Sequence, residues 1–135
     1  MKKIILSVFT LIISFSAFAQ HNVTAQEATD ELVKVYTLDS QQAKEMLVIQ
    51  ERKVRNLDQI VDMKTTDVKL YRHKYRAIQQ STDASIRRML TESQMKIYEK
   101  RRLEWREERA AKIAKLKESG MTLEEIEDQL LEEGF

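Results

Sequence analysis

No proline and only two glycines, Gly120 and Gly134, occur in this chain of 135 residues. A sheet protein needs tight hairpin turns, and the residues that best form them are nearly missing. Charged side chains make up 33% of the sequence, which suits long helices with one buried stripe and a wide solvated face. All-α is therefore the expected fold class. The length is that of one domain, and a core of useful depth requires the helices to pack on one another or on a second copy. There is no cysteine, which excludes a disulfide framework, a thiolate metal site, a cysteine nucleophile and a lipid-anchored cysteine.

Two similar helix starts frame the middle of the chain. In Leu90, Thr91, Glu92, Ser93, Gln94, Thr91 can cap the backbone N–H three residues on, while Gln94 reaches back to the N–H of Thr91, a reciprocal capping box. A weaker copy reads Leu38, Asp39, Ser40, Gln41, Gln42, with Asp39 as the cap and Gln42 at the third helical position. The two caps are 52 residues apart.

At the N-terminus Lys2 and Lys3 precede an apolar run from Ile4 to Phe18, and Ala17, Phe18, Ala19 form a small-residue cleavage pattern before Gln20. This is the pattern of a signal peptide. An uncleaved membrane anchor is the alternative, disfavoured by the shortness of the run and the lack of a stop-transfer pattern. Cleavage removes two lysines and leaves 21 basic against 22 acidic side chains, a net charge of −1. Nothing in that balance attracts nucleic acid. The expected organisation is a signal peptide over 1–19, a flexible leader over 20–28, a helical domain over 29–119 and a short C-terminal helix within 120–135.

Within the mature chain a short helix from Ala25 or Thr29 to Tyr36 places Leu32, Val35 and Tyr36 on one side. A long helix from Ser40 to Met63 then carries a seam of Ala43, Leu47, Gln50, Val54, Leu57 and Val61, broadened by Met46, Ile49 and Ile60. Periodicity fails over residues 63–67, where Thr66 or Asp67 offers a new cap, and a turn is expected there. Val68, Tyr71, Tyr75, Ile78, Ile86 and Met89 mark the return helix, interrupted at Thr82. The two arms, 24 and 23 residues long, each span roughly 35 Å. Equal arms bring residue 90 back to residue 39, so the two capping motifs are expected at one end of a hairpin. A further charged helix runs from Glu92 to about Ser119 and stops at Gly120. Thr122 with Glu125 makes another capping box before Leu123, Ile126 and Leu130, a short amphipathic helix that ends near Glu132.

Winding the Glu92 helix at 100° per residue puts Met95, Tyr98, Arg102, Trp105, Arg109, Ile113 and Leu116 within one face, with Arg106 at its edge and Glu104, Glu107 and Glu108 elsewhere. Met95, Tyr98, Arg102, Trp105 and Arg109 are candidates for binding polypeptide, because aromatic area and cationic forks together hold varied chains. The alternative is a buried stripe whose flanking arginines lay their stems on it. A second basic cluster, Lys69, Arg72, Arg76, Arg87 and Arg88, reads as a solvated face. The mature chain has two histidines, His21 and His73, far apart and without companions at ligand spacing, so no metal and no other cofactor is expected. A serine with an identifiable histidine partner and a glycine-rich phosphate loop are both lacking, and the expectation is a non-enzyme.

An exported, all-helical, cysteine-free chain with Leu90, Thr91, Gln94 and the altered copy Leu38, Asp39, Gln42 resembles the Spy and CpxP family of periplasmic proteins, which is marked by two LTxxQ motifs. The likeness spans roughly Leu32 to Arg109; the earlier copy departs by carrying Asp39 in place of threonine, an equally good cap. The resemblance implies a bent helical hairpin that forms a homodimeric cradle with a basic and apolar concave face. It also implies an ATP-independent chaperone of the periplasm that holds unfolded or stressed exported proteins, or else an accessory regulator that binds an envelope-stress sensor kinase. The histidine-rich pattern of the family's metal-sensing branch is not matched. A structural coiled-coil spacer ranks last, since heptad order decays after Trp105 and the helix ends at Gly120.

Overall fold

A computed structural model describes residues 24–132 of the chain. The described residues are all-α, with six helices: α1 (Ala25–Tyr36), α2 (Ser40–Asp58), α3 (Met63–Thr66), α4 (Val68–Met89), α5 (Glu92–Glu118) and α6 (Leu123–Glu132). The signal-peptide reading, with Ala17 and Ala19, lies outside the described residues.

Helix α1 takes the earlier of its two expected starts, Ala25, rather than Thr29. Thr24 accepts from the Glu27 N–H at 3.2 Å while the Glu27 carboxylate accepts from the Thr24 N–H at 2.8 Å. That capping box winds residues 25–28 into the helix, so the flexible leader cannot extend to residue 28. Thr29, only 2% exposed, donates its hydroxyl to the Ala25 carbonyl at 2.7 Å.

The outward arm is shorter than its pattern predicts, because α2 ends at Asp58. Beyond it the chain tightens into three-residue bonds, Ile60 N–H to Leu57 O at 3.1 Å and Met63 N–H to Ile60 O at 3.0 Å. Ile60 is turned inward at 5% exposure, whereas Val61, expected in the seam, is 57% exposed. The expected turn over 63–67 holds one short helix, α3, and Asp67 caps α4 by accepting from the Leu70 N–H at 3.0 Å. The deepest positions of α2 are Met46, Ile49 and Gln50. Ala43, Leu47, Val54 and Leu57 are half-buried beside them, because α2 packs against α1 on one side and α4 on the other and its buried stripe faces between the two.

The hairpin of α2 and α4 has a mixed interior, with Ile49, Ile60 and Ile78 buried as well as polar side chains. Gln50, Thr82 and Arg72 are all buried, Arg52 donates to the Ser85 hydroxyl at 2.8 Å across the two helices, and burial pushes the Lys53 ammonium below the ordinary lysine range. The larger apolar core gathers where the hairpin ends return: Tyr36, Leu38, Met46, Leu90 and Tyr98, surrounded by half-buried Leu32, Val33, Val35, Ile86, Met89 and Met95.

Only the first turns of α5 join that core. Residues 99–108 are exposed without exception, and half-burial returns at Arg109, Lys112, Ile113 and Leu116. The helix closes on Gly120, whose φ of +84° is the left-handed conformation that glycine adopts freely, with the Met121 N–H reaching back to the Leu116 carbonyl at 3.3 Å. The expected Thr122 and Glu125 box then starts α6, with bonds of 2.8 and 3.3 Å. Ile126 and Leu130 are 2% exposed, while Leu123 is 68% exposed and stands outside the buried stripe.

Met46 has no exposed surface and lies at the centre of the corner core. Met46→Ala is expected to cost about 2–5 kcal/mol, read as a lower urea midpoint with an unchanged slope.

Candidate functional site

The two capping motifs meet at one corner of the molecule. The Asp39 carboxylate accepts from the N–H groups of Gln41 and Gln42 at 2.9 and 2.8 Å, and the Gln42 amide oxygen accepts from the Asp39 N–H at 3.1 Å. In the second box, Thr91 Oγ1 accepts from the Gln94 N–H at 3.4 Å and the Gln94 amide oxygen accepts from the Thr91 N–H at 2.9 Å. The two glutamines then bond to each other. Gln42 Nε2 donates to Gln94 Oε1 at 2.8 Å, and Gln94 Nε2 donates to Gln42 Oε1 at 2.9 Å.

The remaining protons of the pair are also used. Gln42 donates to the Met89 carbonyl at 3.0 Å, and Gln94 to the Thr37 carbonyl at 3.4 Å. Each side chain thus closes its own cap, binds its counterpart and holds the backbone at the end of the helix that precedes the other cap. Every donor and both oxygens are engaged, and flipping either amide would set like groups against like. Leu38 and Leu90, each 9% exposed, sit in the core beneath. The six motif residues therefore divide into two apolar anchors, two caps and a reciprocal amide pair.

Between the first helix and the first motif, Thr37 takes a left-handed backbone with φ +52° and ψ +53°. A β-branched residue pays steric strain there. The Gln94 bond to its carbonyl and the Leu38 N–H bond to Val33 O at 3.0 Å hold it in place.

The five candidates on α5 fall into separate environments. Tyr98 is 6% exposed within the corner core, and Met95 packs against the same cluster. Neither presents the client-binding surface expected of it, because the first two turns of α5 close over the hairpin ends and turn positions 95 and 98 inward. The Tyr98 hydroxyl donates to Asp83 on α4, and the Arg87 guanidinium lies 6.0 Å from the ring centroid. Burial, reinforced by the Asp83 bond and charge, pushes the Tyr98 phenol up to about 12. Arg102 and Trp105 are exposed, Trp105 by 42%, and Leu103 beside them by 56%. Arg109 is half-buried near the return of the chain.

The basic cluster of α4 is likewise divided. Lys69, Arg87 and Arg88 are solvated, but Arg72 is 8% exposed and ion-paired, and Arg76 reaches Glu127. Periodicity could not show this, because the acidic partners lie more than fifty residues downstream on α6. An open cleft of about 480 Å³ runs between α2 and α4, with Lys44, Glu45 and Val48 on one wall and Ser85 and Arg88 on the other. Among the described residues no three His, Asp or Glu side chains gather as metal ligands, and no helix is long and apolar enough to cross a membrane. Compared with family models, curated proteins and solved structures, the chain matches none.

Gln42→Ala and Gln94→Ala are each expected to cost about 1–3 kcal/mol by stranding buried partners, while the double variant costs less than the two single losses together. Urea titrations of the four proteins provide this coupling. For Tyr98 the folded pKa lies above the ordinary tyrosine value of 10.0, so its contribution is complete below about pH 10 and is lost as pH rises through about 12. Tyr98→Phe should remove the Tyr98 part of that alkaline loss, measured as thermal midpoint against pH.

Proposed function

We propose that this chain is an exported, periplasmic, ATP-independent chaperone of the Spy and CpxP kind, which holds partly folded exported proteins without catalysis and acts as a homodimer. The observation that carries the reading is the exposed span of α5. Residues 99–108 are all exposed, and they include Leu103 and Trp105 beside Arg101, Arg102 and Arg106. A helix that serves only its own fold would turn its aromatic side chain inward, and here the buried positions of α5 stop at Tyr98.

Arg102, Trp105 and Arg106 share one side of the helix, with Glu104, Glu107 and Glu108 on the other. Apolar and aromatic area supplies non-directional affinity for an unfolded segment, and guanidinium groups add bonds to carboxylates and exposed carbonyls. The side chains are long and adaptable, as suits clients of varied sequence. Met95 and Tyr98 do not belong to this surface; their part is to fix the base of α5 to the corner. The paired LTxxQ-like motifs support the family reading through architecture, since both act as helix caps joined to each other.

The test is suppression of aggregation of a model client by stoichiometric purified protein, without nucleotide. Trp105→Ala combined with Arg102→Ala should weaken suppression several-fold and leave the thermal midpoint nearly unchanged, because both side chains are exposed. Full suppression by the folded double variant would remove α5 as the binding surface.

A further inference from the structure

Helices α4 and α5 are tied where the Tyr98 hydroxyl donates to the Asp83 carboxylate. Three guanidinium groups surround that tie. Arg87 stands one turn beyond Asp83 on α4, with its guanidinium carbon 6.0 Å from the Tyr98 ring centroid. Arg101 and Arg102 stand three and four residues beyond Tyr98 on α5, and helical side chains lean back over the turn before them, here toward the ring. The charges act on two buried phenols. Burial holds Tyr36 of α1 above its ordinary range, Arg101 opposes that rise and Asp83 reinforces it. At Tyr98, where burial and then Asp83 dominate, Arg102 and Arg87 act in the opposing sense.

The positive charge at this junction is not balanced. Asp83 is the carboxylate within the group, and Tyr98 already engages it. Among the described residues no carboxylate forms an ion pair with Arg87, Arg101 or Arg102, whereas Arg72 and Arg76 farther along α4 are paired with acidic side chains of α6. Glu99 follows Tyr98 in sequence but points about 100° away from it around the helix. Three guanidinium charges against one carboxylate leave +2 where α1, α4 and α5 meet. All three arginines are exposed, so their heads can turn to an incoming ion while the Tyr98 and Asp83 pair beneath stays fixed.

We propose that Arg87, Arg101 and Arg102 form a binding site for a phosphate group, either the free ion or the phosphomonoester headgroup of a lipid. The number of donors selects the ligand. One guanidinium fork satisfies both oxygens of a carboxylate, so three forks exceed what a carboxylate accepts. A phosphate monoester presents three acceptor oxygens and close to two negative charges, which matches the three heads and the local charge. The Tyr98 ring gives Arg87 a face to rest on, which restricts that head before the ion arrives. Asp83 repels an anion that comes too deep, so the ion is held at the rim by the arginines and not in the core. Arg102 also belongs to the surface that we assign to clients, but Arg87 lies on another helix, and phosphate binding stands whether or not α5 holds clients.

The probe is inorganic phosphate, titrated into the full chain at constant ionic strength and followed by nuclear magnetic resonance of the arginine Nε–H groups. Those of Arg87, Arg101 and Arg102 should shift together and saturate, while that of the exposed Arg55 on α2 keeps its position. Arg87→Gln, at an exposed position outside the Tyr98 and Asp83 bond, should weaken phosphate binding about fivefold to tenfold, and acetate at the same concentration should leave the three signals nearly unmoved. Sedimentation with phosphatidylcholine vesicles that contain phosphatidic acid separates the two sources. Vesicle binding that is lost in Arg87→Gln identifies the headgroup, and saturable phosphate binding without vesicle binding identifies the free ion. Absence of both, equal shifts at Arg55 and the three arginines, an equal response to acetate, or phosphate binding unchanged by Arg87→Gln would each overturn the proposal.

Discussion

The arrangement depends on two glutamine side chains that face each other across 52 residues of sequence. A helix N-terminus leaves N–H groups without intrahelical partners, and a capping box satisfies two of them locally. Here the back-reaching members of two such boxes, Gln42 and Gln94, also satisfy each other. Local capping thereby becomes a long-range tie: the start of α2 cannot separate from the start of α5 without stranding both amides, and the chain ends at Thr37 and Met89 are held by the same two groups. Geometry does more than energy in this corner. Each bond contributes about 1 kcal/mol net, but their directions fix how four helices, α1, α2, α4 and α5, meet above Leu38, Leu90 and Met46.

Away from that corner the interior mixes apolar and polar side chains: Ile49, Ile60 and Ile78 are buried together with Gln50 and Thr82, and α6 combines the fully buried Ile126 and Leu130 with ion pairs to Arg72 and Arg76. The two ends are joined by α5, whose middle residues are exposed. That division separates the parts that maintain the fold from those with surface to offer. It also explains how a small helical chain can expose Leu103 and Trp105: the side chains that anchor their helix lie a turn or more before them.

The sequence exposed local chemistry well and tertiary partnership poorly. Both LTxxQ-like boxes, the Thr122 and Glu125 box, the Gly120 stop and the return of residue 90 to residue 39 follow from capping rules and arm lengths. The Thr24 and Glu27 box is equally legible as Thr-x-x-Glu, and it decides between the two expected starts of α1 in favour of Ala25, which shortens the leader. The amide pair had no local signature, since nothing in the spacing of either motif says that two satisfied caps will share protons. Arg72 as a solvated residue and Tyr98 as a binding residue fail for one reason. Helical periodicity says which side chains share a face, while burial depends on what crosses that face, here α6 over Arg72 and the hairpin ends over Tyr98. Val61 fails differently, because α2 stops at Asp58 and the helical phase on which its assignment rests ends with it.

The central claim is that the two motifs form one structural joint, closed by reciprocal amide bonds. Nuclear magnetic resonance of the Gln42 and Gln94 side-chain NH2 groups addresses it most directly. A closed joint predicts dispersed proton shifts, exchange with water far slower than for exposed glutamines such as Gln41 and Gln59, and through-space contacts between the Gln42 and Gln94 amide protons and the backbone of Met89 and Thr37. Side-chain amides of Gln42 and Gln94 that resonate and exchange like those of exposed glutamines would contradict the account.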